Sequence, residues 1–110
     1  MKLPSADRAV VDIVKLRNYC LNAEHPRGRH KARVFAATLG LSAEDAEELR
    51  DALLAAARSE EASAGQQDQY GQRYLLDFLM STAVGRARIR SSWIVRRGED
   101  FPRLTSCYVL

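Results

Sequence analysis

The chain has 110 residues, of which 46% are hydrophobic and 28% charged, and seventeen Lys and Arg against fourteen Asp and Glu leave a net charge of +3. That length suits one domain, 1–110, whose core needs neither a disulfide framework nor a structural metal. The apolar runs fall far short of the ~18 residues a membrane helix needs. The opening Met1-Lys2-Leu3-Pro4-Ser5-Ala6-Asp7 lacks the apolar stretch of a secretory signal, so a cytoplasmic protein is expected. Cys20 and Cys107 stand 87 positions apart, form no ligand-spaced pair, and read as two buried thiols of a reducing compartment.

An irregular lead-in comes first, with Ala9-Val10-Val11 as a candidate short strand. Asp12 is a candidate N-cap for a helix over 13–21, in which Ile13, Leu16 and Cys20 recur at i, i+3 and i+7. A second helix is predicted from 26 or 28 to 39, with Ala32, Phe35, Ala36 and Leu39 on one stripe and Gly40 placed to end it. Ser42-Ala43-Glu44-Asp45 opens a third with a capping-box-like pattern and an acidic first turn. Ala46, Leu49, Leu53 and Ala57 form its apolar stripe, and Arg58 suits its C-terminal end.

Residues 59–69 are small, polar and acidic and read as a connecting loop. The period then changes from 3.6 to 2. A strand over 72–80 puts Tyr74, Leu76, Phe78 and Met80 on one side, and 81–85 reads as a hairpin connection. Over 86–96, Ala87, Ile89, Ser91, Trp93 and Val95 alternate with Arg86, Arg88, Arg90 and Ser92. Residues 97–100 form a turn, Pro102 must lie outside any central ladder, and a last strand is expected over 104–109. Helices first and an antiparallel sheet afterwards give an α+β class, three N-terminal helices packed on one face of a C-terminal antiparallel sheet of three or four strands.

Charge is unevenly spread along this layout. Residues 1–43 carry eight basic and three acidic side chains, residues 44–61 two and seven, and residues 62–110 seven and four. Fourteen of the seventeen cations are arginine, which binds carboxylate and phosphate bidentately. The most informative segment is His25-Pro26-Arg27-Gly28-Arg29-His30-Lys31-Ala32-Arg33, with four cations, both histidines and no acid at the start of the second helix. Cations there oppose the helix dipole, and a bound anion would resolve the conflict. Arg29, Lys31 and Arg33 are therefore candidate phosphate ligands. The competing reading is a solvated basic turn paired with the acidic third helix.

His25 and His30 suit proton transfer near neutral pH, although His25 can equally be a polar cap before Pro26. Two histidines without a nearby carboxylate or thiolate make a poor metal site. Arg86, Arg88 and Arg90 form a stripe that could follow a phosphate backbone or keep an exposed sheet surface soluble. Arg73, Thr105 and Tyr108 are candidates to orient a phosphodiester beside a histidine. Glu99 and Asp100 are expected to cap the turn or to pair with Arg97 or Arg103. No glycine-rich phosphate loop, nucleophile elbow or zinc spacing is present, so any catalysis would be acid–base chemistry without metal or cofactor.

Several segments together resemble a known family. They are Leu3-Pro4-Ser5-Ala6-Asp7, Asp12 to Leu16, His25-Pro26-Arg27-Gly28-Arg29-His30-Lys31-Ala32, Tyr70-Gly71-Gln72-Arg73-Tyr74, Trp93-Ile94-Val95, and Gly98-Glu99-Asp100-Phe101-Pro102-Arg103-Leu104-Thr105. The chain resembles a bacterial domain family of unknown function whose members occur alone or at the C-terminal ends of secreted polymorphic toxins. Its layout also looks like that of the barnase, colicin-nuclease and RelE group of toxin ribonucleases, a fold-level analogy. The family has no assigned activity, so the resemblance implies no catalytic residues.

These readings converge on a toxin-like, metal-independent ribonuclease. His25 or His30 would serve as acid or base, Arg29, Lys31, Arg33 and Arg73 would hold the phosphate, and Thr105 or Tyr108 would orient the substrate. RNA and a small acidic immunity or antitoxin protein are the expected partners. The alternative is a non-catalytic basic module that binds nucleic acid or an acidic protein. A ribonuclease needs a histidine, at least two cations and a hydroxyl in one concavity, whereas a module needs only cations spread over a face.

Overall fold

The Asp12 side chain accepts the backbone N–H groups of Val14 and Lys15 at 3.0 and 3.3 Å, starting the first helix where the sequence places it. The computed structural model describes residues 1–110. In it α1 (Ile13–Lys15) is a single turn that runs on into a π-helical segment, Leu16–Cys20. The wider winding closes on a bond from the Leu21 N–H to the Leu16 carbonyl at 2.9 Å. Leu16, Cys20 and Leu21 are all buried as a result, a set that a regular α-helical stripe would not provide.

Helix α2 (Arg29–Leu39) buries Ala32, Phe35 and Leu39 and ends at Gly40, whose φ of 68° lets Gly40 and Leu41 donate back to Ala36 and Phe35. Gly28, just before it, carries no Cβ for a packing reason: one there would stand 2.3 Å from the Tyr19 carbonyl oxygen. Ser42 and Asp45 form a reciprocal capping box, a 3₁₀ turn follows, and α3 (Ala46–Ser59) buries Ala46, Leu49, Leu53, Ala56 and Ala57. Each fully buried leucine or phenylalanine of these stripes contributes about 1.5–3 kcal/mol relative to exposure.

Four strands follow, β1 (Ala62–Asp68), β2 (Gly71–Ser81), β3 (Arg86–Arg96) and β4 (Pro102–Val109), in an antiparallel meander ordered as in the chain. The class is α+β, with the helices mostly N-terminal and the four-stranded sheet C-terminal. Two expectations are corrected here. Residues 59–69 are not a loop, because most of them form β1. As an edge strand with only Ala62 buried, β1 is held by backbone pairing to β2 and has no apolar alternation to reveal it. The last strand also starts two residues early, at Pro102, the position of an edge strand that tolerates a missing donor. Ala9-Val10-Val11 contributes one parallel bridge, Val10 to Arg103, along the free edge of β4.

The β2–β3 ladder pairs eleven residues without interruption, from Gly71 with Arg96 to Ser81 with Arg86. Its inner side places Leu76, Phe78, Met80, Ile89 and Trp93 in one buried cluster with the helix stripes. The buried Ser91 hydroxyl donates to the Leu76 carbonyl at 2.7 Å and accepts the Trp93 indole N–H at 2.9 Å. Ser91→Ala leaves that indole N–H without a partner in the core, and the unfolding free energy in urea should fall by about 1–3 kcal/mol. A variant as stable as the wild type would show that the pair contributes nothing.

Candidate functional site

The helical layer covers one side of the sheet and leaves the other open. Alternation on β2 and β3 sends Arg73, Leu75, Asp77 and Leu79, and Arg86, Arg88, Arg90 and Ser92, to the open face. Arg90 lies opposite both Asp77 and Tyr108 in the ladders. Its guanidinium donates two bonds of 2.9 Å to the Asp77 carboxylate. Asp77 first, and the Tyr108 hydroxyl second, hold the Arg90 pKa above its ordinary value. Arg86 and Arg88 are exposed on the same face and take part in no ion pair.

The basic segment at the start of α2 meets this face at the edge of the sheet. Lys31 reaches round β4 and sets its ammonium 5.2 Å from the centroid of the Tyr108 ring. Tyr108 thus links the α2 cations to Arg90. Arg29, His30 and Arg33 are exposed, and none of Arg27, Arg29, Lys31 and Arg33 pairs with an acid of α3. His25 is engaged differently. Its Nδ1 accepts the backbone N–H groups of Arg27 and Gly28 at 3.0 and 3.1 Å, and its ring meets Tyr19 edge-on at 4.7 Å. With Nδ1 accepting, the ring proton is on Nε2, and His25 acts as the cap of the turn into α2.

Arg73 and Thr105 come together elsewhere on the open face, in a groove of about 340 Å³. The Arg73 Nε donates to Asp68 at 3.3 Å, and the Thr105 hydroxyl donates to the Ser92 carbonyl at 3.1 Å. Ser106, also lining the groove, was not singled out from the sequence, where nothing distinguishes it from other strand serines. A larger polar concavity of about 640 Å³ lies at the hairpin end, beside Asp68, Arg96, Arg97 and Glu99. His25, His30 and Tyr108 line neither of the two.

The turn acids are paired. Glu99 accepts two bonds of 2.9 Å from Arg103, and Asp100 lies 3.0 Å from Arg8 in the lead-in. The thiols hold a surprise of proximity. Cys20, at the end of the π-helical segment, and Cys107, on β4, are both free and buried, and they interact with each other. The hydrogen bond with Cys107 lowers the Cys20 pKa to about 7, with Lys15 and Lys31 adding to it, while Cys107 is pushed up. Only the fold brings residues so far apart in sequence into contact. No three His, Cys, Asp or Glu side chains cluster as a metal site, and no helix is long and apolar enough to cross a membrane.

The Arg90 guanidinium, chiefly through its hydrogen bonds, holds the Asp77 carboxyl below the usual carboxylate range. A folded pKa below the unfolded one makes the pair stabilising above the unfolded value of about 3.9. That contribution fades as pH falls through the lower folded value. Asp77→Asn should therefore be less stable than the wild type by a steady margin between about pH 7 and 5, and the margin should shrink below about pH 3. Urea midpoints across that range check it, and a margin that does not change with pH would exclude the pair as its source.

A family model described as "Domain of unknown function (DUF6883)" matches residues 2–110. The chain therefore belongs to that family, in agreement with the resemblance to a domain family of unknown function. A search of the curated proteins finds no match.

Proposed function

We propose that this member of the family is an RNA-binding module whose contact surface is the open face of the sheet. Lys31, Arg86, Arg88 and Arg90 would meet phosphates of the bound strand, with Arg29 and Arg33 extending the surface along α2. The distribution of the cations carries the reading. They run over the exposed face and round the β4 edge through Tyr108, and neither histidine enters the groove that holds Arg73 and Thr105. A module needs that distribution, and an acid–base nuclease needs the convergence that is missing. Helices followed by an antiparallel sheet are also the layout that prompts the likeness to the barnase, colicin-nuclease and RelE group, which favours RNA as the polyanion. An acidic immunity or antitoxin protein would cover the same cations and compete with RNA.

One observation favours cleavage as a second reading. His30 is exposed on the same turn of α2 as Lys31, which sits on Tyr108. From there His30 would take the proton of a ribose 2′-hydroxyl while Arg29, Lys31 and Arg33 balance the charge of the pentacovalent phosphate. RNA supplies the nucleophile itself, so this chemistry asks for no protein nucleophile.

The affinity for single-stranded RNA should fall steeply with salt, with a log–log slope of about −0.7 for each phosphate neutralised. Arg88→Ala and Lys31→Ala should each weaken binding and flatten the slope by about one such increment. His30→Ala should leave the affinity nearly unchanged. Binding indifferent to salt, or untouched by the double Lys31→Ala/Arg88→Ala substitution, would sink the module reading. Induced expression in bacteria separates the two readings: growth arrest with fragmented RNA for the wild type, and not for His30→Ala, would replace the module by the nuclease.

A further inference from the structure

The groove on the open face lies between two irregularities of the sheet. In β1 one extra residue enters between Ala64 and Gln67, so that Gly65 and Gln66 together oppose Arg73 of β2. In β4 one extra residue, Thr105, enters between Leu104 and Ser106, opposite the junction of Ser92 and Trp93. Each is a β-bulge, a device that bends a strand and re-aims its side chains beside binding sites. Here two of them, on the two opposite edge strands, flank the same stretch of the central hairpin. The first is pinned by Gln72, whose side-chain amide donates to the Gly65 carbonyl at 2.9 Å and to the Arg73 carbonyl at 3.0 Å.

Between the bulges a charge and hydroxyls converge. Arg73 holds Asp68 through Nε alone, so its two terminal amino groups are free to donate. Thr105 donates its proton to Ser92 and keeps its acceptor lone pairs. The Ser106 hydroxyl is the one buried side-chain polar atom in the protein without a hydrogen-bond partner. Burying a hydroxyl unpaired is costly, and a ligand group in the groove would remove that cost. Leu75, exposed on the same face, adds an apolar side chain beside these polar groups, and about 340 Å³ is more than a bare phosphate ion fills.

We propose that this groove is a nucleotide subsite, in which Arg73 takes the phosphate, Thr105 and Ser106 bind the sugar–phosphate edge, and the exposed Leu75 side chain packs against the base. The proposal rests on the RNA-binding reading and deepens it. One step along the strands, about 7 Å away, the groove is followed by the row of Asp77, Arg90 and Tyr108, and then by Arg88. A strand anchored by one nucleotide between the bulges therefore has cations in line for its next phosphates.

The test titrates ¹⁵N-labelled protein with adenosine 3′-monophosphate, adenosine, inorganic phosphate and, separately, a single-stranded RNA of roughly ten nucleotides. The nucleotide and the RNA should both shift the Gly65, Thr105 and Ser106 amides, with adenosine and phosphate alone binding more weakly than the nucleotide. Ser106→Ala should weaken nucleotide binding about tenfold and leave the unfolding midpoint unchanged or raised, because it deletes an unpaired buried hydroxyl. Arg73→Gln should cut the preference for the nucleotide over adenosine. Nucleotide shifts elsewhere, or unchanged binding in both variants, overturn the subsite. RNA that binds through the arginines without moving those amides also overturns it and leaves the module standing. RNA that does not bind at all removes the module and the subsite with it.

Discussion

The structure depends on an uninterrupted ladder between β2 and β3 that is covered from one side only. Eleven consecutive pairs fix which side chain faces which way, and a slip of one residue would exchange Trp93, Ile89 and Phe78 with Arg88, Arg90 and Asp77. The cost of burying those charges locks the register. The same constraint leaves the arginines on a surface with no helix over it. What reads along the chain as a basic stripe is, in space, the open half of a two-layer fold. Asp77 is the counterweight that keeps Arg90 in place there, while Arg86 and Arg88 have none.

The edges are less regular than the centre, and that is where the chemistry gathers. A bulge on each outer strand turns Gly65, Gln66, Thr105 and Ser106 toward the space above the central hairpin. Further along, β4 presents Tyr108 to Lys31, which belongs to the opposite layer. The segment at the start of α2 thus contributes to the open face by reaching round an edge. Cations that oppose the dipole of their own helix cost only a few tenths of a kcal/mol to about 1 kcal/mol each. One of them recovers part of that through the aromatic ring.

Local signals foretold local structure. Asp12, Gly40 and the Ser42–Asp45 pair mark helix ends because each satisfies backbone groups a few residues away. The inward faces of β2 and β3 were legible because alternating burial leaves alternating polarity. β1 was not legible: an exposed edge strand needs no apolar residues, and Ser63 to Gln67 are as polar as a loop. The bulges were equally silent, since one extra residue in Ala64-Gly65-Gln66-Gln67 or Leu104-Thr105-Ser106 resembles any other polar position until the partner strand is known.

The same distinction explains how the candidate residues divided. Residue type singled out Arg73 and Thr105 for what they can do to a phosphodiester, and long-range register set them on one groove. Residue type also singled out His25, but a histidine before proline at a helix start has a local use for its lone pair, and two backbone N–H groups take it. His30, with no such partner, stays exposed beside the one cation of its segment that is tied to the sheet. The chemistry-bearing residues therefore fall into a groove without a histidine and an edge with one. Those two places share the open face through adjacent rows of the ladder, so a single extended polyanion could cross both, whereas a compact substrate would have to choose between them.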